Sequence, residues 1–280
     1  MKNEKGFTLV EMLVAMAISI VLLASIIYVF TKQSSVLQDE NSNVQLRDFA
    51  RLAMDELVPN IRLAGYGFPP GNSSIGRPAR GITVADATTL TYRANVDDIS
   101  TLANADSIAS TDEFIFVGDT TGFTAGLNQN VVFFDTNDPT QWNFYPLIGV
   151  NPNTTLDWAG GNPNGFDIRP VTAGVPVVIN RYHIITYNFD GGNQIVTVTD
   201  DNSTDDGGGD DTTTTVANNV SDLTFSYFDA NGNPLSVLPL NAADRGDVRK
   251  IRISITLVDD LESSMTASLR TNVYLRNMGT

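Results

Sequence analysis

Cysteine is absent from the 280 residues, so the chain has no disulfide, no thiolate metal ligand and no cysteine nucleophile. Histidine occurs once, at His183. Flanked by Tyr182 and Ile184, it reads as a packed or half-exposed strand residue, not a catalyst. Cations are scarce: 17 Lys and Arg face 32 Asp and Glu, for a formal net charge of −15. That balance disfavours nonspecific binding to nucleic acid or anionic membranes, because phosphate contacts need Lys and Arg, and no nucleic acid partner is expected. Also missing are a Gly-rich phosphate loop, a zinc-ligand spacing and a nucleophile elbow, and there is no internal repeat of about 20–50 residues. The sequence offers no active site, and the chain reads as non-enzymatic.

What is present starts at the N-terminus. Met1–Gly6 carries Lys2 and Lys5, and the run from Phe7 to Phe30 is apolar apart from Glu11 and a few small hydroxyls. As a helix that run extends roughly 36 Å, enough to cross a hydrocarbon layer of about 30 Å. The two lysines place the N-terminus on the cytoplasmic side and send the remainder outward. A carboxylate inside a membrane helix costs about 2.5–3.5 kcal/mol, so Glu11 reads as functional. An ordinary secretory signal has a shorter apolar core and a small-residue cleavage site after it. Here the only plausible junction, Gly6–Phe7, precedes the apolar run, so cleavage leaves the helix on the mature chain.

Leu37, Val44, Leu46, Phe49, Leu52, Ala53, Leu57 and Ile61 recur mostly at helical spacing. They predict that the helix runs on from about Phe7 to about Val58, where Pro59 ends or kinks it; two helices broken around Thr31–Asn43 are the alternative. The first half calls for lipid or a bundle of like helices, and the second for a sheet. Ile61–Gly71 is a Gly/Pro connector. From Ile82 onward short strands are predicted at Thr89–Arg93, Glu113–Val117, Val131–Asp135, Val177–Ile179, His183–Phe189, Ile195–Thr199, Leu223–Phe228, Val248–Val258 and Ala267–Arg276. Asp190-Gly-Gly-Asn193 marks a hairpin and Asp229–Pro234 a further turn. Asn151–Pro163 reads as a long surface loop, and the acidic stretch 200–215 as a mobile one. The fold class is α+β: a long N-terminal helix on a mostly antiparallel head.

Gly6, the aromatic Phe7 and then Thr8-Leu9-Val10-Glu11 resemble a type III, or prepilin, signal. Arg62-Leu-Ala-Gly-Tyr66 resembles the stretch that follows the helix in PilW-type minor pilins. Val216–Gly232, Val248–Leu257 and Leu269–Asn277 resemble the C-terminal strands of minor pilins and of J-type pseudopilins of type II secretion. The resemblance covers about residues 1–70 and 216–277, and none is found for 71–215. It implies a leader at 1–6, a transmembrane and assembly helix at 7–30, an amphipathic continuation and connector at 31–70, and a β-rich head at 71–280. It further implies that prepilin peptidase cuts between Gly6 and Phe7 and methylates Phe7, and that Glu11 pairs with the N-terminal amine of a neighbouring subunit. The implied partners are other major and minor pilins and the inner-membrane assembly machinery. The implied place is the inner membrane as a precursor, with the head outside the cytoplasm, then a pilus at the cell surface, in its initiating tip complex. A J-type pseudopilin is the alternative. An anchored adhesin, with Trp142, Phe144, Tyr145 and Trp158 as an aromatic platform, is a third reading.

Calcium is the one ligand worth weighing, since hard cations take about six to eight oxygens from carboxylates, amides and carbonyls. Three segments offer them: Asp135–Asp138, the acidic stretch with Asp200, Asp201, Asp205, Asp206, Asp210 and Asp211, and Asp229-Ala-Asn-Gly-Asn233. The second is the strongest of the three, with a solvated loop as the competing reading, and turn chemistry accounts for the third equally well. No other cofactor is expected.

Overall fold

Helix α1 spans Leu9–Arg62, 54 residues without a break at Thr31–Asn43, and at about 1.5 Å per residue it extends roughly 80 Å. The structure, a computed structural model, describes residues 8–68, 81–103, 114–124, 129–135, 142–151, 155–158, 177–201, 211–259 and 265–275. Contrary to the expected end near Val58, Pro59 lies inside α1. Its missing N–H frees the carbonyl of Asp55. Both residues are exposed, so water can satisfy that carbonyl while Ile61, half a turn on, is held in the core.

After α1 come β1 (Ile82–Ala85), β2 (Thr89–Ala94), β3 (Ser100–Leu102), β4 (Phe114–Phe116) and β5 (Gln129–Asp135). Then follow β6 (Trp142–Asn151), β7 (Thr155–Trp158), β8 (Val177–Arg181), β9 (His183–Asp190) and β10 (Ile195–Asp201). The remainder is β11 (Thr212–Ala217), β12 (Val220–Phe228), β13 (Pro234–Leu235), a short α2 (Ala242–Asp247), β14 (Lys250–Val258) and β15 (Thr266–Tyr274). They form three sheets, ordered β1-β2-β9-β10-β11, β13-β12-β14-β15 and β3-β8-β5-β6-β7-β4. Every pairing is antiparallel.

Two expectations change here. Part of the Asn151–Pro163 stretch is the strand β7, which pairs with both β4 and β6, because Leu156 is buried in the core of the third sheet. The acidic stretch is also shorter than 200–215. Asp200 and Asp201 belong to β10 and Thr212–Thr215 to β11, with Asp200 opposite Thr212. Backbone pairing to β10 holds these threonines although they contribute no apolar burial.

The main core joins α1 to the first two sheets. Leu46, Ala50, Ala53, Met54, Leu57 and Ile61 form the buried face of α1, which lies against β15, β14 and β11. Opposite it, the alternation in β14 buries Ile251, Ile253, Ile255 and Leu257. The register sets Phe225 against Ile253 and Leu223 against Ile255, so large apolar pairs meet across the ladder. A second core fills one face of the six-stranded sheet around Val131, Phe133, Leu147, Leu156 and Ile179. A third, smaller one, Phe68, Val132 and Tyr182, takes the opposite face of β5.

The connector after α1 is what fastens these layers together. The Gly65 N–H donates to the carbonyl of Arg93, and the Asn95 N–H to that of Tyr66, both at 2.9 Å. The Tyr66 hydroxyl donates to Asp98 at 2.8 Å and the Asn180 amide to the Gly67 carbonyl at 2.6 Å. Gly67 has φ +82°, and a Cβ there would stand 2.5 Å from Asn95 Cβ, so both conformation and space require glycine.

Candidate assembly surface

The first turn of α1 is closed by its own side chains. Thr8 is the N-cap, and its hydroxyl oxygen accepts from the Glu11 N–H at 3.3 Å. Glu11 Oε2 in return accepts from the Thr8 N–H at 2.9 Å and from the Thr8 hydroxyl at 3.0 Å. This is a capping box, and it places a carboxylate at the positive end of the helix dipole. The signal for it is the Thr-x-x-Glu spacing, which the reading of Glu11 as an intermolecular acid leaves unused. Both capping bonds fall on Oε2, so among the described residues Oε1 accepts nothing. Gly6 and Phe7, the expected processing residues, lie outside the described residues.

From Leu9 to Phe30 the large apolar side chains of α1 are all exposed. The two serine hydroxyls in this half are satisfied within the helix, Ser19 by the Ala15 carbonyl and Ser25 by that of Val21, each at 2.8 Å, so neither needs water. Among the described residues α1 is the one helix long and apolar enough to cross a membrane. In the docked half the apolar residues divide into two arcs. The residues named above face the sheets, but Val44, Phe49 and Leu52 are more than half exposed, at 56, 57 and 64%. The single expected stripe is therefore two, and Phe49 and Leu52 lie off the head's core.

The remaining site residues meet where the first and third sheets join. His183 opens β9 and Arg181 closes β8, and the buried Tyr182 between them carries the chain from one sheet to the other. His183 Nδ1 lies 2.8 Å from Asp200 Oδ1, and Nε2 lies 2.8 Å from Asp97 Oδ2. Arg181 reaches the same Asp97 oxygen at 2.8 Å. Burial opposes a charge on the ring, but the hydrogen bonds and charges of Asp200 and Asp97 outweigh it and raise the His183 pKa. His183 thus sits between two acids that favour its protonated form, with Arg181 also 3.2 Å from Nε2, a partnership that no local sequence signal announces.

Asp200 serves His183, Asp201 ends β10 and Asp211 precedes β11 exposed, while Asp205, Asp206 and Asp210 lie outside the described residues. Asp229 accepts from the Asn233 N–H at 2.7 Å and from its side-chain amide at 2.9 Å, the expected turn chemistry. Of the Asp135–Asp138 segment only Asp135, the last residue of β5, is described. Among the described residues no group of three or more acids and histidines is arranged to hold a metal ion. Trp142, Phe144 and Tyr145 lie along β6 and Trp158 ends β7.

Residues 1–27 match the family described as the prokaryotic N-terminal methylation motif, the stretch that holds Gly6, Phe7, Thr8 and Glu11. The chain is type IV pilin-like. A second similarity agrees: a pilin-like protein, PilA3 of Thermus thermophilus, is 37% identical over 62 residues, which is 22% of this chain and 27% of that relative. The likeness thus reaches little more than a quarter of the relative's length. Residues 9–27 of the matched stretch lie on α1, whose apolar side chains there are unburied, which fits a membrane-anchored precursor.

Proposed function

We propose that this pilin-like chain is a minor pilin of the PilW kind, processed between Gly6 and Phe7, methylated at Phe7, and incorporated into a type IV pilus in its initiating tip complex. One observation carries this reading: a helix whose N-terminal half is wholly exposed and apolar is continuous with a half anchored in the head. Such a surface needs lipid before assembly and neighbouring helices afterwards. Apolar contact alone gives no preferred register, since lipid is as apolar as the side chains. A charge pair supplies one. Glu11 can hold its capping bonds through Oε2 and offer Oε1 to a neighbour's N-terminal amine.

Glu11→Gln separates the two roles, because glutamine also completes a capping box but carries no charge. The amine then loses its partner, and breaking a buried pair costs about 3–5 kcal/mol. In a deletion strain, Glu11→Gln should keep leader removal and head protease resistance but restore few surface pili. Wild-type piliation by this variant would refute the assembly role of the acid. The deletion strain itself should lack pili. If it instead loses secreted proteins and keeps its pili, the chain is a J-type pseudopilin.

A further inference from the structure

Beyond the exposed Leu52, the next turns of α1 present Glu56 and Asn60, which face a pocket of about 240 Å³ on the five-stranded sheet. Its far wall carries Tyr92, Tyr187, Asp200 and Thr214. Glu56 accepts a bond from the Asn60 amide at 2.9 Å, but no cation pairs with it among the described residues. Asp200 is engaged by His183 through Oδ1.

Tyr187 is the telling residue. It is fully buried, stacked on Tyr92 with ring centroids 6.4 Å apart, and no partner meets its hydroxyl at full hydrogen-bond geometry, although Asn60 and Tyr92 are close enough to act weakly on it. A buried polar atom left without a partner costs about 1–3 kcal/mol, so such an atom in a native pocket points to something that fills it. Burial first, and then the Glu56 and Asp200 carboxylates, push the Tyr187 phenol up to about 12. It is therefore neutral and offers an oxygen lone pair. The pocket as a whole presents two carboxylates, phenol and amide oxygens, and apolar walls.

We infer that this pocket receives the ammonium group of a lysine side chain on a partner subunit, its stem lying on the tyrosine walls and its head between Glu56 and the Tyr187 hydroxyl. An ammonium supplies three donors to the acceptors present, and the aromatic and aliphatic wall suits the methylene stem. The partner is a protein subunit because Phe49, Leu52, Glu56 and Asn60 follow one another along a single face of α1. A helix seated on the exposed Phe49 and Leu52 brings its next turn over the pocket. This step rests on assembly through α1.

The test uses the full mature chain in detergent micelles, with pentylammonium as probe and pentanol as its neutral control. Saturable shifts of the Tyr92 and Tyr187 ring signals are expected with the amine only. Glu56→Gln should weaken binding by about tenfold or more, and Tyr187→Phe by a few-fold. Tyr187→Phe removes only a hydroxyl that no partner meets at full hydrogen-bond geometry, so it keeps the fold. In cells both variants should be processed and protease-resistant but enter the pilus less often than wild type. Absence of saturable amine binding overturns the site, leaving a water-filled pocket. Amine binding with wild-type incorporation of both variants overturns the partner lysine in favour of a free amine. Full piliation by Glu11→Gln alongside intact amine binding strikes the assembly reading and spares the pocket.

Discussion

Raising the pH should loosen the joint between the first and third sheets, through His183. Both ring nitrogens face carboxylate oxygens at 2.8 Å, and only the imidazolium has a proton for each. The sign follows from the direction of the shift. The folded pKa lies above the unfolded value of about 6.5, so the stabilisation is complete below that value and is lost as pH rises through the folded pKa. Each unit of elevation contributes about 1.4 kcal/mol. The effect of removing the ring is bounded by its surroundings. A fully buried pair loses about 3–5 kcal/mol when broken, and an exposed one below about 1. Here the histidine side chain is 7% exposed, but Asp97 and Asp200 are 36 and 37% exposed, and Asp97 keeps Arg181. For His183→Gln we therefore expect a loss of about 2 kcal/mol at neutral pH, a fall in melting midpoint of about 4–8 °C. Thermal unfolding of wild type and variant, followed from roughly pH 6 to pH 9, gives the dependence. The ring signal of the sole histidine, which needs no assignment, gives the folded pKa directly. The fall in wild-type stability must match that measured elevation. A ring titrating at or below the ordinary value, or parallel curves for wild type and His183→Gln, would refute the reasoning.

Two further substitutions test the packing of α1 and its connector. Leu57→Ala empties a fully buried position between α1 and the sheets and should cost about 3–4 kcal/mol, read as a drop in midpoint of roughly 6–16 °C. Gly67→Ala sets a Cβ 2.5 Å from Asn95 Cβ at φ +82° and should cost about 1–3 kcal/mol. Gly191→Ala, whose nearest contact would be an ordinary 3.6 Å to Phe189, is the control and should leave the midpoint within experimental error.

Much of this architecture can be read from local pattern. The alternation of Ile251, Ile253 and Ile255 announces β14, and Asp190-Gly-Gly-Asn193 announces the β9–β10 hairpin, because each signal lies within a few residues of what it specifies. Two of the strands that escape detection have their reason elsewhere in the chain. Thr212–Thr215 has no apolar residue and is a strand because β10 is beside it. Thr155–Trp158 is short and sits in an Asn/Gly/Pro-rich context, yet its Leu156 completes a core built by distant strands. The same holds for side chains. Glu11 caps Thr8 three residues away, and its spacing is visible; His183 finds Asp97 across 86 residues and Asp200 across 17, and nothing local marks either acid. Periodicity likewise finds the apolar residues of α1 without saying which arc the head will cover, so Phe49 and Leu52 can be counted but not placed.

That division of α1 into arcs bears on how one helix serves two purposes. The arc of Leu46, Ala50, Ala53, Met54, Leu57 and Ile61 is consumed by the head, so the head's folding fixes the direction in which the rest of the helix points. The arc of Val44, Phe49 and Leu52 remains outside and continues the apolar surface of Leu9–Phe30 toward the head. A break between the halves would let the apolar part swing freely, and its ordering would then oppose every later contact. With no break among the described residues, that cost is already met by folding. Meanwhile the full chain's net charge of −15 makes its copies repel one another at random approach. On the proposed reading association is left to α1, whose apolar surface supplies the attraction, while Glu11 and Glu56 are the charged groups proposed to set the choice of neighbour.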